Sequence, residues 1–97
     1  MKTILIMGST FDEPHSKKIT DKLDEYNIPW EQHAASAHKQ PLKVLEILEA
    51  NKNEKNIVYI TIAGRSNALS GFVAANSKFP TIGCPPFSDK ADMLVNI

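Results

Sequence analysis

Short apolar runs rich in β-branched residues alternate with longer segments of helical periodicity along this 97-residue chain. The clearest run, "NIVYITIA", is apolar on both faces, as a central parallel strand is. Two of the helical segments open on a proline, which suits the first turn of a helix. The pattern predicts strands at 3–7, 29–35, 56–63 and 80–85, and helices at 13–27, 41–52 and 67–77. This β-α-β-α-β-α-β order predicts an α/β fold with a parallel sheet and right-handed crossovers.

The spacing of side chains also predicts which face of each element is buried. Two apolar stripes follow helical spacing: Ile19, Leu23 and Tyr26 in the first helix, and Leu42, Leu45 and Leu48 in the second. The segment at 67–77 is apolar nearly all round, which predicts burial against the sheet or another subunit. Alternation in the strand at 29–35 places Trp30 and Gln32 on one face, and Glu31 and His33 on the other.

Composition narrows the class of protein. Eleven basic and eleven acidic side chains cancel, so no global field attracts nucleic acid or an anionic membrane. The longest apolar run is too short to span a bilayer, and the first residues lack the features of a secretory signal. The single cysteine, Cys84, cannot form an intrachain disulfide and fits a reducing interior. We therefore expect one cytoplasmic domain over 1–97, with neither nucleic acid nor membrane as a partner.

Polar and conformationally special residues follow the ends of the predicted strands. They form four segments: "GSTFD" (8–12), "ASAHK" (35–39), "AGRSN" (63–67) and "CPP" (84–86). Ligands of parallel sheets collect at the carboxyl ends of the strands. The four segments therefore define a candidate site along one rim of the sheet.

The first of these segments has two interpretations. Gly8 and Ser9 form a strand-to-helix turn, where backbone N–H groups and the helix dipole favour an anion, although a plain turn explains them equally well. No GxxxxGK[ST] or GxGxxG motif is present, so a nucleoside triphosphate or dinucleotide is not indicated. Asp12 suits the N-cap of the first helix. In a functional role Asp12 would instead accept hydrogen bonds from sugar hydroxyls, because a nearby phosphate would be repelled.

Histidine chemistry is the second feature of the rim. His38 has small neighbours that allow a ligand to approach, and imidazole can accept and return a proton near neutral pH. A lone loop histidine is more often a structural hydrogen-bonding residue, so the loop by itself leaves both interpretations open. His15 and His33 lie within predicted elements, and we interpret both as structural.

The remaining rim residues suggest binding rather than covalent chemistry. Arg65 offers a planar fork for a phosphate or carboxylate, and Asn67 can cap the following helix. Cys84 has no basic neighbour in sequence, so we interpret it as a small buried residue and not a nucleophile. No paired histidine or cysteine spacing is typical of a metal site.

Four motifs in order, "MGSTFD", "SAHK" followed by a proline, "AGRSNALSG" and "CPP", resemble aminoimidazole ribonucleotide (AIR) carboxylase of purine biosynthesis. Each motif is weak alone, but four in register over nearly the whole chain are specific. The resemblance implies a flavodoxin-like three-layer α/β/α sandwich, assembly as a homo-octamer, and no metal or cofactor. The family includes a mutase of N5-carboxyaminoimidazole ribonucleotide (N5-CAIR), whose third loop carries a histidine where this chain has Ala68. Ala68 and Lys39 are similar instead to the class that reacts AIR directly with carbon dioxide.

The resemblance also implies a role for each rim residue. His38 would be the catalytic acid and base in the reversible carboxylation of AIR to 4-carboxy-5-aminoimidazole ribonucleotide (CAIR). Ser9 and Asp12 would bind the ribose-phosphate, Ser36 and Ala37 would surround the imidazole ring, and 64–67 would bind the phosphate and carboxylate end. The implied substrate-binding set is Gly8, Ser9, Asp12, Ser36, Ala37, Lys39, Ala63, Gly64, Arg65, Ser66, Asn67 and Leu69.

Two departures from the family pattern keep alternatives open. Phe11 stands where the family has the second serine of G-S-x-S-D, which removes one hydroxyl contact to a ligand. Family members also continue well beyond the equivalent of Ile97, so we expect this chain to lack its C-terminal part. The alternatives are the N5-CAIR mutase reaction, and an inactive nucleotide-phosphate-binding fragment or flavodoxin-like module.

Overall fold

A computed structural model describes residues 1–63 and 68–86, and in them the elements follow the predicted order. The strands are β1 (Lys2–Met7), β2 (Trp30–Ala34), β3 (Ile57–Ile62) and β4 (Thr81–Gly83). The helices are α1 (Glu13–Glu25), α2 (Pro41–Asn51) and α3 (Ala68–Asn76), and a short 3-10 turn (Thr10–Asp12) leads into α1. No helix in the described ranges has both the length and the apolar character that crossing a membrane requires.

The strands form one sheet in the order β2-β1-β3-β4, and every pairing in it is parallel. Thr3 is paired with Trp30 of β2 on one side and with Val58 of β3 on the other. The order of the first strands, with β1 between β2 and β3, is that of flavodoxin-like sheets. The predicted parallel sheet is therefore confirmed, and β1 and β3 are its central strands.

Helices cover both faces of the sheet and make three layers. On one face, α2 and α3 pack on a larger cluster, whose fully buried members include Ile4, Ile6, Val44, Tyr59 and Val73. On the other face, Ile19 and Leu23 of α1 pack on a smaller cluster of Leu5, Met7 and Ile62. Because successive side chains of a strand point to opposite faces, β1 and β3 contribute to both clusters. This arrangement confirms the expected α/β/α sandwich.

The predicted stripe of α2 is wrong for two of its three residues. Leu42 is 72% exposed and Leu45 is also exposed, whereas Leu48 is buried. The buried face is formed by Val44, Ile47 and Leu48, at the i, i+3, i+4 spacing of one helix face. Both sets satisfy helical periodicity, and the contact with the sheet selects the second.

One prediction about a helix face is corrected, and a second, the burial of α3 against the sheet or another subunit, is met only in part by the single chain. Tyr26 is not part of the α1 stripe, because the helix ends at Glu25 and the Tyr26 side chain is exposed. Asn27, with a φ of 58°, turns the chain out of the helix towards β2. On α3 only Leu69 and Val73 are buried in the described structure, although the helix is apolar nearly all round. The predicted faces of β2 are confirmed, since Trp30 packs beneath α1 and Gln32 accepts a hydrogen bond from Ser16 at 2.8 Å.

Candidate active site

The turn after β1 is held by its own hydrogen bonds. The Gly8 N–H donates to the Ile62 carbonyl at 2.8 Å, which places the turn beside the end of β3. The Ser9 hydroxyl oxygen accepts from the Phe11 N–H at 3.1 Å, and the Ser9 carbonyl accepts from the Asp12 N–H at 3.0 Å. The Ser9 hydroxyl is exposed and can still donate its own hydrogen to a ligand. Phe11, at 89% exposure, leaves that hydroxyl uncovered.

Asp12 occupies the predicted N-cap position of α1, but its carboxylate makes no capping hydrogen bond. The residue is only 9% exposed. Burial raises the pKa of the Asp12 carboxyl, and the nearby His15 ring and a hydrogen bond from the Ser9 backbone partly oppose this rise. The helix start therefore does not use the carboxylate as a cap, which leaves it able to accept hydrogen bonds from a ligand.

The turn after β2 is closed over Ser36. Its hydroxyl oxygen accepts from the backbone N–H groups of His38, at 3.2 Å, and Lys39, at 3.1 Å. The Ser36 carbonyl accepts from the Gln40 N–H at 2.8 Å. Ala35, just before this turn, donates to the Met7 carbonyl at 2.7 Å, which connects the turn to the end of β1. These bonds leave the side chains of His38 and Lys39 exposed on the rim.

The three histidines differ in what their rings contact. His15 Nε2 lies 3.1 Å from the Cys84 carbonyl oxygen, and His33 Nε2 lies 3.0 Å from Glu31 Oε2. The His38 ring makes no hydrogen bond to any described residue. The structural interpretation is therefore correct for His15 and His33, whereas the described structure assigns the His38 ring no structural partner.

A cavity of about 530 Å³ lies between the turns after β1 and β2. It is lined by Gly8, Ser9, Thr10, Ala34, Ser36, Lys39, Gln40 and Lys43. Four of the predicted site residues, Gly8, Ser9, Ser36 and Lys39, thus meet at one cavity. His38 lies between the lining residues Ser36 and Lys39, although it is not itself among the lining residues.

Four lining residues were not among the predicted site residues: Thr10, Ala34, Gln40 and Lys43. Lys43 lies in the first turn of α2, close in sequence to the candidate segment 35–39, and this position could have indicated it. Thr10 lies inside the candidate segment 8–12, whereas Ala34 and Gln40 carried no comparable signal. Neither Lys39 nor Lys43 forms an ion pair with a described residue, whereas Lys2, Lys17, Lys22 and Lys52 each do. The cavity therefore combines two unneutralised cations with hydroxyl groups, a combination that suits an anion.

The other predicted residues either lie outside the described residues or are absent from the described lining of this cavity. Gly64, Arg65, Ser66 and Asn67 lie outside the described residues. Ala63 is buried at the end of β3, and Leu69 is buried in the larger core cluster. Ala37 is partly buried and packs against the same cluster. The roles assigned to these residues stay predictions.

Cys84 does have a basic neighbour, which its sequence surroundings did not reveal. Its Sγ lies 3.9 Å from His15 Nε2, and the residue is half-buried rather than fully buried.

On the sheet face opposite α1, Lys2 Nζ lies 2.6 Å from Glu31 Oε1. This hydrogen-bonded ion pair, with a smaller contribution from His33, holds the pKa of the Glu31 carboxyl below its usual range.

Comparison with known proteins identifies the family. Residues 2–97 match the family model for AIR carboxylase. The chain belongs to the AIR carboxylase family. It is 53% identical over 90 residues to a phosphoribosylaminoimidazole carboxylase of Archaeoglobus fulgidus, an alignment covering 93% of this chain and 49% of that relative. It is 46% identical over 87 residues to a phosphoribosylaminoimidazole carboxylase of Treponema denticola, covering 89% of this chain and 55% of the relative.

Solved structures of this family share the fold. A crystal structure of Treponema denticola PurE is similar with a TM-score of 0.92 and 42% sequence identity, covering 97% of this chain and 62% of that chain. The expected flavodoxin-like fold and the AIR carboxylase resemblance are thus confirmed. This family member spans about half the length of the curated relatives described above.

Proposed function

We propose that the protein carboxylates AIR with carbon dioxide to give CAIR, reversibly, in purine biosynthesis. The observation that carries the proposal is the His38 ring, which makes no hydrogen bond to a described residue and lies on a turn whose flanking residues, Ser36 and Lys39, line the rim cavity. Membership of the AIR carboxylase family and relatives named phosphoribosylaminoimidazole carboxylase support this reaction class.

The cavity lining suits a ribonucleotide phosphate. Lys39 and Lys43 supply positive charge, and neither forms an ion pair with a carboxylate of the described residues. The hydroxyls of Ser9, Thr10 and Ser36 lie on the same lining and can donate to phosphate oxygens. We assign the ribose hydroxyls to Asp12, because a carboxylate accepts from hydroxyls and repels a phosphate. The family resemblance assigns the phosphate and carboxylate end of the pocket to 64–67.

The chemistry needs one group that moves a proton in both directions. The electron-rich C4 of AIR attacks the carbon of carbon dioxide, a C–C bond forms, and one C=O electron pair moves to oxygen as the carboxylate. C4 then bears both hydrogen and carboxylate, and the ring regains aromaticity when His38 accepts the proton. In reverse, protonated His38 returns the proton to C4 before carbon dioxide leaves. Imidazole titrates near neutral pH and is suited to both steps.

The reaction also requires carbon dioxide to be held beside C4. Carbon dioxide is small and nonpolar and is only a weak hydrogen-bond acceptor. Confinement in the pocket must therefore provide most of its orientation. The small side chains of Ala34 and Ser36 on the cavity wall leave room for it beside a nucleotide. No metal ion or organic cofactor is required by this chemistry.

The assignment of His38 is tested by substituting His38→Asn. We expect AIR binding, measured by calorimetry, to stay within about twofold, because the side chain is exposed and makes no structural bond. Carboxylation and decarboxylation should both fall by at least ~10²–10⁴-fold, the usual contribution of general acid–base catalysis. The matched control is His33→Asn, a histidine on the sheet face away from α1, which should retain turnover. Near-normal turnover of the His38 variant contradicts the assignment.

The competing reactions are separated by their substrates. A carboxylase forms CAIR from AIR in proportion to dissolved carbon dioxide, whereas a mutase converts N5-CAIR without that dependence. Ala68, in place of the second histidine of the mutase loop, favours the carboxylase. Conversion of N5-CAIR alone would establish the mutase, and AIR binding without either turnover would establish an inactive nucleotide-binding fragment.

A further inference from the structure

His15 links two parts of the rim that are far apart in sequence. It lies in the first turn of α1, and its Nε2 is 3.1 Å from the carbonyl oxygen of Cys84, 69 positions later. A carbonyl oxygen only accepts, so Nε2 carries the hydrogen and donates it. The Cys84 N–H in turn donates to the Thr61 carbonyl of β3 at 2.8 Å. Both backbone groups of Cys84 are thus held, one by the sheet and one by His15.

The same ring lies close to the turn after β1. The ring, when protonated, opposes the rise that burial causes in the pKa of the Asp12 carboxyl, which places the ring near that carboxylate. Asp12 and Ser9 are themselves joined through the backbone at 3.0 Å. The His15 ring thus lies near Asp12, and Asp12 is bonded to Ser9, which lines the cavity.

We propose that His15 is a positioning residue of the site, which fixes the 84–86 segment against the turn that carries Ser9 and Asp12. The hydrogen bond from His15 Nε2 to the Cys84 carbonyl connects α1 to the end of β4. The position of the ring beside Asp12 sets where the Asp12 carboxylate accepts hydrogen bonds from a sugar. The identification of this sugar as the ribose of AIR rests on the proposed function, whereas the hydrogen bond between His15 and Cys84 does not.

Two variants separate the hydrogen bond from the charge. In His15→Gln the amide nitrogen reaches about as far as Nε2 and can donate to the Cys84 carbonyl, but it is never charged. In His15→Leu both the donor and the charge are lost. The control is His33→Leu, which removes a half-buried histidine bound to Glu31 on the opposite face of the sheet.

The kinetic readout is the division of the effect between KM and kcat. We expect His15→Leu to raise KM and the dissociation constant for AIR on the order of five- to tenfold, the usual range for one lost hydrogen bond, with kcat changed less. His15→Gln should restore most of the affinity, and His33→Leu should match the unaltered protein. A role in stability alone would instead lower the active fraction and leave KM unchanged. Unchanged KM in folded His15→Leu overturns the proposal.

A second readout does not depend on AIR. Nitrogen-15 NMR of the unaltered protein should show His15 protonated at Nε2, and the amide signals of Ser9 and Asp12 should move in His15→Leu and return in His15→Gln. Unchanged amide signals of Ser9 and Asp12 in His15→Leu overturn the positioning role of His15, whatever the kinetic result. If the unaltered protein fails to bind AIR while these signals respond as expected, the proposed function falls and the positioning role stands.

Discussion

At the scale of the residue, contacts distinguish side chains of the same type. The rings of His15 and His33 are each within 3.1 Å of an acceptor, so their positions are defined by the fold. The His38 ring has no such partner in the described chain and is exposed. A proton-transfer group must be free to meet a substrate, so His38 fits this role better than either of the others.

Asp12 should show the cost of keeping a carboxylate at the site. Burial raises its folded pKa above the unfolded value of about 3.9, so the neutral form is favoured in the fold. Its contribution to stability is therefore present below the unfolded pKa and lost as pH rises through the folded pKa. We expect Asp12→Asn to raise the unfolding free energy at pH 7 by about 0.5–2 kcal/mol, the usual gain from a single stabilising substitution, and to raise it little near pH 3.

Glu31 provides a control in which the pH dependence of stability has the opposite sign. Thermal unfolding of the Asp12 and Glu31 variants between pH 3 and 7 measures both dependences. The pKa of Glu31 is lowered by Lys2, so its contribution is present above the unfolded pKa and lost as pH falls through the folded pKa. Glu31→Gln should be less stable than the unaltered protein at pH 7, by less than about 1 kcal/mol because the ion pair is partly exposed. An Asp12→Asn difference that stays constant over the whole pH range contradicts the role given to the raised pKa.

At the scale of the element, α2 shows how a helix with two apolar faces is oriented. Val44, Ile47 and Leu48 face the sheet and belong to the larger core cluster. Leu42 and Leu45 point away from it and are exposed. Helical spacing is satisfied by either set, and the face chosen is the one that meets the flat, β-branched surface of β1 and β3.

The same substitution at two positions of α2 measures this difference. Leu48→Ala, at 5% exposure, should lower the unfolding free energy by about 2–5 kcal/mol, because it removes buried methyl groups and leaves a cavity. Leu42→Ala, at 72% exposure, should change it by no more than about 0.5 kcal/mol. Urea unfolding of both variants provides the comparison, and equal losses would show that the orientation of α2 is wrong.

At the scale of the whole molecule, the parallel sheet assembles the site. Since the strands run in one direction, the turns after β1 and β2 meet at one edge, and the end of β4 reaches the first turn of α1. A chain of 97 residues buries a smaller share of its surface than a larger domain does. Large apolar side chains, among them Phe11, Leu42 and Ile82, stay exposed in the single chain.

We propose that eight copies of the chain associate, as the family resemblance implies. Association would cover apolar surface that the single chain leaves exposed, and this burial favours the assembled state. Sedimentation equilibrium at several concentrations should give the mass of eight chains. A mass of one chain across the concentration range would contradict the octamer.

The local pattern of the sequence was enough to predict the elements, the parallel sheet and the two turns, after β1 and β2, that line the cavity. Periodicity and turn residues are properties of neighbours in sequence, and they set the α/β order before any long-range contact forms. Only the tertiary structure decided which face of α2 is buried, which histidine ring is free, and that His15 meets Cys84. Each of these depends on packing between residues distant in the chain, where several arrangements satisfy the same local pattern and the fit of side chains selects one.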